Sequence, residues 1–552
     1  MQRQSFRNIT FEKRYIIYLL IAAVSLLFMS RNSFLYALNP SEDINCFVTS
    51  GNLILSGKIP YRDFFEQKGP VVYWIHALIL TLYPNSYHGL YLLEVVCAFF
   101  YFVYNDKLLR LFFQNRKPAE ILIINLLSCC AVNFSAAEKG EVEEYLLPLF
   151  AYLLYHTVKT ILSQDGLSRK TCFFLGLQIG LIFWSKYFSL LLYLFVFLYL
   201  LVYMIRGKYF RTLKKILIFC TAGFLTVTIP ILLYFYCNHA LSQLIDVYFF
   251  ANAAYGGVSE SQGNAGPIAL YFAAAGYSLF AWLLDVIVHF SFSDYIWFII
   301  GCKIIDNIKL VLKLPQDKLS ELDPAYKQQL NERIAILRFF KIAIWALPVC
   351  TIAISLKPYS YYYIPVYSLL PFGAMLIFDI TQYQKDTSKK KHKAKQKVLA
   401  GSLCLAYIAA AVFPIAVQHT GENIRTHKAA IDMIKKDTNH DLIVYNAMDT
   451  GFYPGTGYLP EEYYFTRTNA RNGIIAERYD EMIKNQEITY VVYYSLNEPN
   501  SDVTEDQDRS SQTDAKAHEF LSSHGYHLVF EKPVFSMFPY KNILIYRKGD
   551  AA

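Results

Sequence analysis

The sequence predicts a polytopic α-helical membrane protein with 11 to 13 transmembrane helices. Its N-terminus is expected inside and its C-terminus outside, where the chain continues into a small extracytoplasmic α/β domain. Three observations predict this. Of 552 residues, 55% are hydrophobic and only 17% are charged, a balance that soluble domains do not show. Apolar runs of roughly 18 or more residues recur, each long enough for a hydrocarbon core of ~30 Å. From about residue 420 charged residues rise, and short β-type runs alternate with helical patterns.

The first run, about 15 to 36, follows a basic leader (Arg3, Arg7, Lys13, Arg14) with no small-residue cleavage site after it. It reads as a retained anchor with its basic end cytoplasmic. Runs two to four are expected at about 88–113, 119–135 and 145–163. Runs five and six, at about 171–185 and 188–205, are tightly joined at Ser185-Lys186-Tyr187. The loop from Arg206 to Lys215 holds five cations and is assigned to the cytoplasm. Run seven covers about 216–237, and further runs are expected at 336–356, 361–380 and 398–417. Segments 241–255, 267–291 and 294–312 decide between 11 and 13 helices. An even number of spans there would put the lysines at 389–397 outside, against the charge bias. Residues 1–419 then form the membrane domain, with a first outer loop at 37–87, and 420–552 the outer domain.

Strands are expected at Leu442–Tyr445, Tyr490–Tyr494, His527–Phe530 and Asn542–Tyr546. Helices separate them at 428–436, 474–485 and 515–523, an alternation that suggests an α/β unit. The net charge of +8 sits in short loops between apolar runs, so it calls for no nucleic-acid partner. The ten Cys lie in or beside apolar runs, none beyond position 404, with no CxxC and no zinc spacing. They read as packing residues.

The polar stretch Asp43–Trp74 organises the chain. It carries four carboxylates (Glu42 beside it, Asp43, Asp63, Glu66) and three cations (Lys58, Arg62, Lys68) between apolar runs. An interfacial helix is expected at Val71–Tyr83. Asp43, just past the outer end of run one, has the chemistry of a general base toward an acceptor hydroxyl, or of a plain helix cap. Lys68 at headgroup level suits a lipid phosphate, or snorkels. Lys186 interrupts two apolar runs, and a cation there usually has a partner. It reads equally as a donor-phosphate contact or a structural ion pair.

Asp43 stands fourteen positions before Gly57, followed by Pro60-Tyr61-Arg-Asp63-Phe and Lys68-Gly-Pro70-Val-Val-Tyr73. This pattern resembles the first outer loop of GT-C glycosyltransferases, of the protein-mannosyltransferase and aminoarabinose-transferase type (glycosyltransferase family 39-like). The resemblance implies a GT-C membrane fold and a polyprenyl-phosphate sugar donor. It further implies inverting transfer to a glycan, lipid or protein acceptor on the outer face of a cell membrane of bacterial type. It puts the catalytic Asp on Asp43 and the donor-phosphate Lys on Lys68. The acid that often follows the Asp is Ile44 here, with Glu42 on the other side. A second acidic position falls in the loop of Glu138, Glu141 and Glu144, any of which could orient the acceptor or, with Asp43, hold a divalent cation. Lys357-Pro-Tyr-Ser-Tyr361 resembles the family's outer Arg/His-Tyr segment without its His, so Lys357 and Tyr361 become phosphate candidates. Asp63 is counted among the secondary acids, although its setting also fits a turn.

Two other readings stand beside this one. A glycan polymerase or ligase would use a lipid-diphosphate donor. A transporter or flippase of lipid-linked sugars should show related halves and helices broken at the midplane, and neither is evident here.

Overall fold

The structure, a computed structural model, describes residues 13–252 apart from 85, 114–115, 136–139 and 164–166. It describes 323–386 apart from 356–359, 420–496 apart from 469–470, and 508–549 apart from 535–539, with scattered single positions between 276 and 405. In chain order the first helices are α1 (Lys13–Met29), α2 (Glu42–Leu55), α3 (Pro70–Leu82), α4 (His88–Phe112), α5 (Pro118–Ser135), α6 (Val142–Ser163), α7 (Arg169–Lys186), α8 (Leu191–Arg206) and α9 (Phe210–Cys237). The chain forms two compact units. One comprises Met1–Met29, Leu92–Ile231 and Glu260–Phe413; the other comprises Ser30–Tyr91, Leu232–Ser259 and Pro414–Ala552.

The first unit is helical, and here the expected count of 11 to 13 membrane helices is corrected. Among the described residues four helical stretches are long and apolar enough to cross a membrane: Val142–Ser163, Arg169–Arg206, Phe210–Cys237 and Tyr326–Thr351. A fifth results if Tyr361–Tyr367 and Leu370–Asp379, bent by 48°, make one broken span. The chain is therefore a polytopic helical membrane protein with about four such helices among the described residues.

The reasons are length and charge. α1 has 17 residues, or ~26 Å at 1.5 Å per residue, short of a ~30 Å core. α4 carries Glu94, Asp106, Lys107 and Arg110. Its Asp106 is buried against Arg110 (2.8 Å) and Arg14 (3.5 Å) and accepts a hydrogen bond from Tyr18. The apolar part of α5, Pro118–Asn133, is short, and runs five and six count as one stretch of 38 residues around a 3-10 turn at Tyr187–Leu190. The segments expected at 267–291, 294–312 and 398–417 lie almost wholly outside the described residues. α9 exposes an apolar face, with Leu217, Ile218, Leu225, Ile229 and Leu233 all exposed. In a bilayer such a face meets lipid rather than water.

In the second unit α2 and α3 pack as a pair. Glu42 and Asp43 stand in the first turn of α2, where the positive end of the helix favours carboxylates. The helix closes at Gly57, whose φ of +91° suits a left-handed cap, with Lys58 N–H returning to Leu53 O at 3.0 Å. α3 opens on Gly69-Pro70, proline being suited to a first helical position. The two axes approach at Gly51, where a Cβ would lie 2.9 Å from Ala77 N and from Leu80 Cδ1. Gly51→Leu is accordingly expected to push α2 off α3 and to cost roughly 1–3 kcal/mol or more. A melting temperature unchanged from wild type in the purified protein would contradict this.

The same unit carries a four-stranded sheet. Its strands are β1 (Leu442–Val444), β2 (Tyr490–Leu496), β3 (Tyr526–Pro533) and β4 (Tyr540–Lys548), in the order β1-β2-β4-β3. β1 runs parallel to β2, with Ile443 opposite Val491, and β4 runs antiparallel to both β2 and β3. Helices Thr420–Lys435, Asn472–Lys484 and Asp508–Ser523 accompany it. Ile475, Tyr479, Met482 and Ile483 of the second bury with Ile443, Val491 and Tyr493 of the sheet in one core, the i, i+4, i+7 pattern of an amphipathic helix on a sheet face.

Candidate functional site

Asp43 and Lys68 meet in the second unit. The Asp43 carboxylate, in the first turn of α2, lies 3.6 Å from the Lys68 ammonium just ahead of α3. Their side chains are 19% and 15% exposed, so the pair borders solvent yet is shielded enough for its charges to matter. Phe47, one turn along α2 from Asp43, places its ring 5.7 Å from the same ammonium. An ion pair one edge of which stays accessible can still present its carboxylate to a hydroxyl.

The segment carrying Lys68 is fixed from behind. Tyr61 has φ +67°, uncommon for a residue with a side chain. It is held there because its N–H donates to Phe64 O (3.0 Å) and its buried phenol donates to Lys68 O (2.6 Å). Tyr73 of α3 donates to Lys68 O (2.9 Å) and to Glu66 Oε2. Burial, with Glu66 beside it, keeps the Tyr73 phenol well above its usual range, so it stays a donor. Glu66 also accepts the Lys68 N–H at 3.1 Å. Glu66 is thus the buried anchor of the Lys68 turn, a role that residue type and spacing did not single out.

The other acids of this loop divide by task. Asp63 accepts the Ile59 N–H at 2.7 Å and two bonds from Arg62, at 2.8 and 2.9 Å. Those Arg62 hydrogen bonds hold the Asp63 carboxyl below its ordinary value. It closes a turn. Glu42 accepts from Tyr540 of β4 at 3.5 Å.

A buried acid beyond the expected set lies in the turn after β1. Asp449 accepts backbone N–H groups of Gly451 (3.2 Å), Phe452 (2.7 Å) and Tyr453 (3.4 Å). The turn rests near α2, since a Cβ on Gly451 would lie 3.4 Å from Asn45 Oδ1. Burial pushes the Asp449 carboxyl from 3.8 up to about 7, against those three donors. A folded value above the unfolded one gives stability that is complete below about pH 4 and is lost as pH rises towards 7. The loss is on the order of 4 kcal/mol for three units. Melting between pH 4 and 8 should show this fall, and Asp449→Asn should flatten it; an unchanged slope in the variant would contradict the assignment.

In the first unit a second charged cluster forms. Lys186, the last residue of α7, pairs with Glu143 Oε1 at 2.6 Å, and the Glu143 side chain is fully buried. The same ammonium lies 4.7 Å from the ring centres of Tyr361 and Tyr362, a cation–π arrangement. Of the two roles open to Lys186, the structure displays the ion pair. Tyr361 is brought to it as a ring contact. Glu144, next in sequence to Glu143, faces a different neighbourhood: with Glu94 and Tyr145 it lines a cavity of about 30 Å³. Glu141 begins the turn into α6, its backbone carbonyl accepting from Glu144 N–H at 3.0 Å. Glu138 and Lys357 lie outside the described residues. Among the described residues no group of three or more His, Cys, Asp and Glu side chains is placed to hold a metal ion.

Comparison with known proteins bears on this geometry. A family profile of dolichyl-phosphate-mannose-protein mannosyltransferases matches residues 67–234. The match takes in Lys68, Glu143 and Lys186 and begins after Asp43. A search of curated proteins finds no significant match. Among solved structures, ArnT from Cupriavidus metallidurans bound to undecaprenyl phosphate aligns with a TM-score of 0.56 at 11% identity, covering 96% of this chain and 97% of that one. The apo state of the same enzyme aligns with a TM-score of 0.47 at 11% identity, covering 97% of each chain. The chain resembles the GT-C membrane glycosyltransferases of the ArnT and protein-mannosyltransferase type. The likeness to the ArnT structure runs over nearly the whole length and is one of fold.

Proposed function

We propose that the chain is a membrane glycosyltransferase that takes its sugar from a polyprenyl-phosphate donor and passes it to an acceptor hydroxyl on the outer face. The observation that carries this reading is the Asp43–Lys68 pair at 3.6 Å, a carboxylate and an ammonium meeting at one accessible edge. In this reading Asp43 takes the acceptor's proton as the acceptor oxygen bonds to the anomeric carbon. The bond from that carbon to the phosphate oxygen breaks in the same displacement. Lys68 stabilises the departing polyprenyl phosphate. One displacement inverts the anomeric centre.

Support comes also from the fold likeness to an enzyme crystallised with undecaprenyl phosphate and from the short, fixed backbone around Lys68. Glu42, in the first turn of α2 beside Asp43, is proposed to orient the acceptor. The basic loop at 206–215 is proposed to be cytoplasmic, and the region after 420 external. Incubating the purified protein with a panel of polyprenyl-phosphate sugars tests the reading. Release of polyprenyl phosphate is expected with at least one donor, and no release from any of them in a folded preparation would contradict it.

A further inference from the structure

A cavity of about 280 Å³ opens on the far side of α2 from the ion pair. Val48 and Asn52 line it from the helix, one turn apart. Nine residues separate Asn52 from Asp43, which at 3.6 residues per turn is half a revolution. Phe47, four residues from Asp43, is the one that sits with Lys68. The cavity is therefore distinct from the Asp43 edge, and all its lining residues belong to the second unit.

Its wall is polar in a specific way. Asn52, Ser86, His88 and Lys435 contribute polar groups, and the remaining described lining is aromatic, small or apolar, including Tyr87, Pro454 and Gly455. His88 Nδ1 lies 3.3 Å from Asn32 O, to which it donates. Asn52 brings an amide with both donor and acceptor character. The Tyr87 phenol is committed to Asn45, so it contributes a ring face. Among the described lining residues Lys435, in the last turn of helix Thr420–Lys435, is the one lysine or arginine, and none is a carboxylate. Mixed donors and acceptors beside an aromatic face suit a sugar ring, and an unbalanced ammonium suits an anionic one.

We propose that this cavity is a second sugar site that holds an anionic sugar unit of the acceptor while the reacting hydroxyl lies at Asp43. That the ligand belongs to the acceptor rests on the glycosyltransferase reading; the binding itself does not.

The test is a titration of the purified full-length protein with D-glucuronate, with glucose 6-phosphate and with D-glucose as the neutral control, read by saturation-transfer NMR. D-glucuronate or glucose 6-phosphate should bind and D-glucose bind more weakly; the stronger of the two anions tells carboxylate from phosphate. Lys435→Glu should weaken the anion at least about ten-fold, the scale of one charged hydrogen bond. Lys435→Arg should keep most of the affinity, and Asp43→Asn should leave it unchanged. The proposal is overturned if neither anion binds, if Lys435→Glu binds as wild type does, if D-glucose binds as tightly, or if Asp43→Asn abolishes binding. Anion binding in a protein that consumes no polyprenyl-phosphate sugar would defeat the function proposed above and leave the site standing.

Discussion

Asp43→Asn is expected to lower sugar transfer by roughly 100-fold or more, the usual worth of a general base, while donor affinity is retained. Asparagine keeps the shape of the side chain but cannot take the acceptor's proton. The backbone that carries Lys68 stays where it is, because Tyr61 and Tyr73 donate to the Lys68 carbonyl and its N–H donates to Glu66, and the Phe47 ring remains beside the ammonium. Asp43→Glu should also retain little, since a carboxylate displaced by one bond loses its alignment. Asp63→Asn is expected to act differently. It weakens the bond to Ile59 N–H and the fork from Arg62, so its effect should appear in thermal stability before turnover. Turnover and donor affinity measured in one membrane preparation separate these cases. Wild-type turnover in Asp43→Asn, with matched folding, would remove the base role.

Glu143→Ala is expected to destabilise the helical unit by about 3–5 kcal/mol, because it leaves a shielded ammonium without its carboxylate. Lys186 is 10% exposed and Glu143 not at all, so water cannot replace the lost partner cheaply. The two tyrosine rings at 4.7 Å soften the loss without neutralising the charge. Glu143→Leu combined with Lys186→Met should recover much of the stability, as apolar replacement of a buried pair usually does. Melting of the single and double variants in one detergent checks this. A Glu143→Ala protein that melts with wild type would contradict the structural weight given to the pair.

What the sequence made legible follows from how local each signal is. The β-type runs at 442–445, 490–494, 527–530 and 542–546 coincide within a few residues with the strands, because strand pattern is short-range and turn residues bracket it. Asp43 and Lys68 were nameable by chemistry and resemblance, but their approach depends on Gly51 letting α2 and α3 pack closely. Residue type and spacing do not single out Glu66 or Glu143, for one reason. Each is a carboxylate among several, and only the phase of the chain decides which is buried. α6 begins at Val142, so adjacent Glu143 and Glu144 point about 100° apart and reach different partners. The count of membrane spans failed where composition was read as length. α4 looks apolar across its residues, yet Asp106, Lys107 and Arg110 occupy one end, and hydropathy averaged over a run conceals them.

The anomeric configuration of the product tests the central claim most directly. With the donor found in the polyprenyl-phosphate panel, proton NMR of the newly formed glycoside gives its configuration against that of the donor. Single displacement by a hydroxyl activated at Asp43 predicts inversion, with one polyprenyl phosphate released for each sugar transferred. Retention of configuration would contradict it, since retention by double displacement needs a covalent or equivalent intermediate that this account does not contain.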